Sequence, residues 1–397
     1  MKKRLVSMMT AFVLSLVLVF GTMTSAFAEE SMGDVADELS ATANAYMENY
    51  LAPSVEDGIG YAQVLAAALC LKSGVEADEV YATIDEALAD AISNYSEGGI
   101  LGSSPEYGTT AYALAATILY LEERGVDVTD YEGQDLTALL KEAYAADGTA
   151  INPYAYQLVL AVINNEADTD WGTLKDTVKE AIVAGYVDGD TGTGYDYWGV
   201  SADNNGMVIA ALVEFLDEDE ISDILQSSFD WVYSLNDESG AVVSWGAANP
   251  DSTALALKFA AQFGAADTAE AYYQALAQFK SANTEGLYIY GGEDSSFSTL
   301  DAIWGLLAYN ASNEGIYWYT IVNVTEEETE EDTEEDVEEE TVEETTATST
   351  PTPTVTTAVA STDSPSTGDA DMLYVAFGFA AVLGLGVLTM KKREENL

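Results

Sequence analysis

The chain contains no histidine, whereas 69 of its 397 residues are aspartate or glutamate. Without imidazole, serine and cysteine triads of the usual kind are excluded, as are His-ligated zinc or copper and lyase mechanisms that use a His base. Carboxylates, tyrosines and a few lysines remain. Two carboxylates suffice for glycoside hydrolysis, one as acid and the other as base or nucleophile.

These groups collect in four stretches that mix glycine with aromatics and acids: 95–107, 186–203, 236–251 and 284–297. Their spacing puts Tyr195, Tyr197, Trp198, Trp245, Tyr288 and Tyr290 at one mouth, with Asp203, Asp251 and Asp301 near them. Aromatic faces beside carboxylates suit sugars or cationic groups. The competing reading is that the aromatics seal the core and that Asp203 and Asp251 cap helix N-termini. Within the second stretch, Asp188, Asp190 and Asp196 alternate with glycines as in a calcium-binding loop. Gly192 and Gly199 stand where a third oxygen ligand and a bidentate Glu belong, so a glycine-rich turn competes with calcium.

Positioning such residues falls to a repeat. Small residues open apolar stretches at Ala62, Ala111, Ala155, Gly206, Ala254 and Ala302, at intervals of 49, 44, 51, 48 and 48 residues, the window of a repeated supersecondary unit. Segments such as Thr253-Ala254-Leu255-Ala256-Leu257 are apolar nearly all round and need cover on several sides. Six amphipathic segments alternate with them, near 34–50, 77–94, 134–145, 171–185, 220–235 and 267–282. The pattern predicts an all-α fold, an (α/α)6 toroid of six outer and six inner helices over residues 31–320, with an open solenoid as the alternative. The long loops then share one end of the ring.

The inner-helix openings Tyr107-Gly108-Thr109-Thr110-Ala111 and Pro250-Asp251-Ser252-Thr253-Ala254, the latter preceded by Asn236-Asp237-Glu238-Ser239-Gly240 and Trp245, resemble the repeats of the terpenoid cyclase and protein prenyltransferase α/α toroid superfamily, the squalene cyclase type. The likeness covers residues 34–310. It implies the toroid, a scaffold that hosts enzymes, cobalamin carriers and thioester-protein domains, so it leaves function open. The superfamily's zinc site needs His, its Asp-x-Asp-Asp motif is absent, and Cys70 lies in Leu69-Cys70-Leu71 rather than in a thioester motif. No catalytic residue carries over. Corrinoid carriage stays open, because that ligand is held by packing.

The termini give an address. Lys2-Lys3-Arg4, an apolar run over 5–20 and Ala26-Phe27-Ala28 predict a signal peptide (1–28) cleaved after Ala28. Residues 326–344 hold fourteen acids among nineteen positions, and with the Thr/Pro tract that follows they predict a disordered stalk (321–363). Ser364-Pro365-Ser366-Thr367-Gly368, an apolar span (372–390) and a basic cytoplasmic tail (391–397) together resemble the cell-wall sorting signal of Gram-positive surface proteins. That implies cleavage by a sortase between Thr367 and Gly368, with linkage to peptidoglycan. Ser364 in place of the commonest Leu leaves the sortase class open.

Between Ser31 and Thr325 stand 48 acidic residues against seven basic ones, which disfavours nucleic acid and anionic polymers. The sequence therefore predicts a wall-anchored extracellular protein whose non-catalytic toroid binds a glycan, corrinoid or protein at the long-loop mouth. The alternatives are a secreted carboxylate-dependent glycoside hydrolase of (α/α)6 type and a structural spacer or adhesin. Beyond calcium at 188–196 it specifies no cofactor.

Overall fold

The alternation of amphipathic and all-round apolar segments becomes an alternation of outer and inner helices. The computed structural model describes residues 35–95, 99–167 and 169–313, all within the unit Met1–Val322. The predicted signal peptide, stalk, sortase motif, apolar span and basic tail lie outside the described residues. Among those described, no helix is long and apolar enough to cross a membrane.

The outer helices are α1 (residues 35–57), α3 (Asp78–Ser93), α5 (Leu136–Asp147), α7 (Leu174–Ala184), α9 (Asp219–Ser234) and α11 (Ala266–Leu276). Each inner helix follows its outer partner: α2 (Tyr61–Lys72), α4 (Thr110–Glu123), α6 (Ala155–Asn165), α8 (Ala202–Met207), α10 (Pro250–Gln262) and α12 (Ser296–Asn313). In α3 the buried residues are Tyr81, Ile84, Leu88 and Ile92, one stripe at helical spacing. In α4 every residue from Thr110 to Leu121 is buried. That difference is the one expected when one helix faces water and the other is surrounded.

Consecutive inner helices pack side by side, and α12 returns to pack against α2. Closure is also polar. Glu38 of α1 accepts hydrogen bonds from Tyr273 (2.9 Å) and Tyr288, and pairs with Lys280 at 2.6 Å. The last hairpin thus grips the first, and the described residues form a closed α/α ring rather than an open solenoid.

Three local departures have physical causes. Helix α1 passes through a π turn at Met47–Leu51, just ahead of Pro53, whose missing N–H interrupts the ladder. The fourth inner element is not one α-helix: after Met207 it tightens into a 3-10 segment, Ile209–Phe215. The fold is not purely helical either, since three of the long loops fold as hairpins: β1 (Tyr186–Gly189) with β2 (Gly192–Tyr195), β3 (Val243–Ser244) with β4 (Ala247–Ala248), and β5 (Ile289–Tyr290) with β6 (Glu293–Asp294). Trp245-Gly246 and Gly291-Gly292 all have positive φ, the two-residue geometry that matches strand twist.

The small residues at the inner-helix openings set how closely the helices approach. A Cβ on Gly206 of α8 would stand 2.6 Å from the Leu255 carbonyl oxygen of α10, and one on Gly305 of α12 would stand 2.5 Å from that of Ala254. Helix α10 is therefore in backbone contact on both sides. Replacing Gly206 by Ala must push α8 and α10 apart, and we expect a loss of ~2–4 kcal/mol in denaturant unfolding. Gly189→Ala, with open space around the added methyl, should change stability by less than ~0.5 kcal/mol.

Candidate active site

Each of the six inner helices carries one polar or aromatic residue in or just before its first turns. Three are tyrosines: Tyr61 and Tyr112 in the first turns of α2 and α4, and Tyr154 immediately before α6. Three are aspartates: Asp203, Asp251 and Asp301, from α8, α10 and α12. The Tyr61 and Tyr112 rings meet edge to face with centroids 5.4 Å apart. The charge of Asp301 reaches Tyr46, Tyr112 and Tyr154, and that of Asp203 also reaches Tyr154. One wall of the site is thus phenolic and the other is carboxylic.

The aspartates are half-buried, yet their carboxyls are strongly desolvated. Residual exposure together with dense surroundings means that they line a recess. Helix capping is not their role, because Ser201 caps α8 and Asn249 caps α10, accepting from the Asn204 and Ser252 amides. Ser252 Oγ donates to Asp203 at 2.6 Å. Asp251 Oδ1 has no well-aligned hydrogen bond, although the neighbouring Ser298 hydroxyl favours its ionised form.

Ionisation follows from this arrangement. Burial, with lesser repulsion from Asp251 and Asp203, raises Asp301 well above the carboxylate range, and Lys258 offsets this in part. Burial pushes Asp251 up to about 6, the Ser298 hydroxyl offsetting part of the rise and Asp203 adding to it. Asp203 is also raised by burial, but Ser252 favours its ionised form. Three carboxyls from adjacent helices are thereby all raised, Asp301 well above the carboxylate range. Lys258, on α10, is fully buried, donates to the Gly206 carbonyl at 2.7 Å where α8 tightens, and lies 5.4 Å from the Trp304 ring centre. Burial brings its amine down to about 7. A separate recess deeper along these helices, lined by Gln157, Glu214, Lys258 and Gln262 among others, shares only Lys258 with the cluster.

The hairpins frame the mouth, and each is tied to the first turns of the inner helix it precedes. The Tyr195, Val242 and Tyr288 amides donate to Asn205 Oδ1, Thr253 Oγ1 and Thr299 Oγ1 at 3.2, 3.1 and 3.0 Å. Outward from these anchors stand Trp198, 77% exposed, Trp245, 64%, and Tyr290, 51%. Trp198 and Trp245 sit at positive φ, 57° and 56°, a strained conformation for a bulky residue that the anchored loop imposes. Tyr197 stacks on Trp198 with centroids 4.6 Å apart and meets Tyr154 edge-on at 5.8 Å, linking rim to recess.

Of the nine residues expected at the mouth, Asp203, Asp251 and Asp301 come together, Tyr197 and Trp198 stack beside Tyr154, and Trp245 and Tyr290 stand exposed on their own hairpins, whereas Tyr195 and Tyr288 are turned away from solvent. Both are buried, Tyr195 against Tyr156 and Tyr288 on Glu38, at the ends of the hairpins that are anchored to the inner helices. Nor do Asp188, Asp190 and Asp196 converge on a cation. They lie along and beyond the β1–β2 hairpin, with Asp188 accepting from Thr193 Oγ1 and Asp196 from the Gly199 amide. Among the described residues no group of three or more acidic or sulfur ligands is placed to hold a metal. Sequence reasoning missed Tyr61, Tyr112, Tyr154 and Lys258. A signal was present for two of them, since Tyr61 and Tyr154 stand one residue before the repeat's small residue, as Asp301 does.

No family model and no curated protein matches the chain. Among solved structures, it is similar to a glycosyl hydrolase of family 88 from Bacteroides vulgatus, at 12% identity and a TM-score of 0.45, over 71% of this chain and 99% of that one. It is also similar to a polysaccharide lyase, at 12% identity and a TM-score of 0.46, over 72% and 99%.

The raised pKa of Asp251 makes stability depend on pH. Between about pH 4 and pH 6 the folded chain holds this proton more tightly than the unfolded chain, so the stability linked to it is full below that window and lost as pH rises through 6. Asp251→Asn should therefore exceed the parent at pH 7 by on the order of 1–2 kcal/mol, with the gain vanishing below pH 4, read by thermal unfolding at both pH values.

Proposed function

We propose that the chain hydrolyses glycosidic bonds in this recess, with carboxyls as both acid and base. The observation that carries the reading is the convergence of Asp203, Asp251 and Asp301, half-exposed residues whose carboxyls burial raises, with repulsion from Asp203 adding at Asp251 and from both at Asp301. Asp301, held protonated, is the group suited to give its proton to the leaving-group oxygen. Asp203, favoured as the anion by Ser252, is suited to activate water or to attack the anomeric carbon. Asp251, repelled by Asp203 and in turn raising Asp301, keeps the acid protonated. The exposed Trp198, Trp245 and Tyr290 offer flat faces for sugar rings.

A binding toroid without chemistry, the first reading of the sequence, accounts less well for the site. Binding alone gives no reason to bury three like-charged groups together, an arrangement that costs stability. The tripartite C-terminal signal supports display of this activity on the outside of the cell, joined to peptidoglycan by a sortase.

The test is hydrolysis of a panel of neutral and amino-sugar oligosaccharides across pH. We expect a bell-shaped profile, falling on the acid side as Asp203 takes up a proton and on the alkaline side as Asp301 loses one. Asp301→Asn and Asp203→Asn should each lower kcat by about 10²-fold or more while remaining folded. Cleavage that survives both substitutions, or none of any panel member by the parent chain, would overturn the proposal.

A further inference from the structure

The composition of the recess also bears on which sugar it takes. Its carboxylic wall carries three acids, and the single buried cation among the described residues, Lys258, already donates to the Gly206 carbonyl. Opposite stand the rings of Tyr61, Tyr112 and Tyr154. Two polar atoms there have no well-aligned hydrogen bond: Asp251 Oδ1 and the hydroxyl of Ser298, a fully buried residue of α12 close to Asp251. The first accepts only, and the Ser298 hydroxyl beside it favours its ionised form, the form that pairs with a cation. Carboxylates on one side and aromatic faces on the other form the environment that holds an ammonium group. The same wall repels a uronate, and the acidic balance of the ring as a whole keeps polyanions away.

We propose that the recess selects a glycan bearing a free, protonated amine, an amino sugar that is not N-acylated, with the ammonium seated between Asp251 and the tyrosine wall. This rests on the recess being a glycan site. The ligand's cation favours the ionised form of the acids around it, so binding drives a proton from the cluster to solvent.

The experiment is titration calorimetry of the full chain with four β-1,4-linked tetramers, of glucosamine, N-acetylglucosamine, glucose and galacturonic acid. Binding is measured at pH 6 in two buffers of different ionisation enthalpy, and cleavage of each tetramer is followed in parallel. The glucosamine tetramer should bind at least tenfold more tightly than the glucose tetramer, with a heat that differs between buffers because protons are released. In Asp251→Asn the preference should fall below threefold, and in Trp245→Ala, a rim change, it should persist. Equal or weaker affinity for the amine, with the neutral tetramer still bound or cleaved, overturns this inference and leaves the hydrolase reading standing. Tight, proton-coupled binding of the amine with no tetramer cleaved overturns the hydrolase reading and leaves the inference. Failure of all four to bind overturns both.

Discussion

The close approach of three inner helices is the constraint on which the rest of the molecule depends. Helix α10 touches backbone on both flanks, at Gly206 of α8 and at Gly305 of α12, where even a methyl group has no room. This contact draws the N-terminal ends of α8, α10 and α12 together. Each of those ends carries an aspartate. The same packing that fills the ring therefore forces three carboxyls into mutual range, and their raised pKa values follow from where the backbone stands.

The other half of the ring is built differently. Helices α2, α4 and α6 bring tyrosines instead, and burial keeps their phenols protonated, Tyr61 being pushed up to about 12. The recess is thus divided into donors and flat faces on one wall and acids on the other. All six helices point their N-termini this way, and their dipoles favour negative charge at the site. Without that contribution, together with the hydroxyl of Ser252 and the amine of Lys258, the cluster would cost still more to fold. Polar closure at the far side of the ring, where Glu38 takes hydrogen bonds from Tyr273 and Tyr288, keeps the circle from opening under that repulsion.

Much of the ring was legible from spacing alone. Small residues at intervals near 48, with amphipathic segments between, require paired helices with one covered member, and Gly206 marks one of the two tightest contacts. Gly305 escaped because it lies three residues beyond the repeat's aligned position, and only the facing backbone shows why it is needed. Asp203, Asp251 and Asp301 were placed at the mouth by topology. That two of them do not cap their helices depended on Ser201 and Asn249, whose capping geometry is a matter of one residue in register. Tyr195 and Tyr288 went to the core because their backbone amides are tied to Asn205 and Thr299 of the inner helices, anchors that a glycine-rich stretch does not announce. The tyrosine wall was hidden because it comes from helix openings read for their small residues, and Lys258 because a lysine inside an apolar stretch gives no sign of which carbonyl it reaches.

The account stands most directly on the ionisation of the cluster, which carbon-13 NMR of the aspartate side-chain carboxyls measures as a function of pH. It requires a carboxyl resonance that titrates near pH 6, is absent from Asp251→Asn, and moves toward the ordinary range in Asp203→Asn. Titration of every aspartate in the folded chain below about pH 5 would contradict it, because the three helices would then not hold their acids in a common recess.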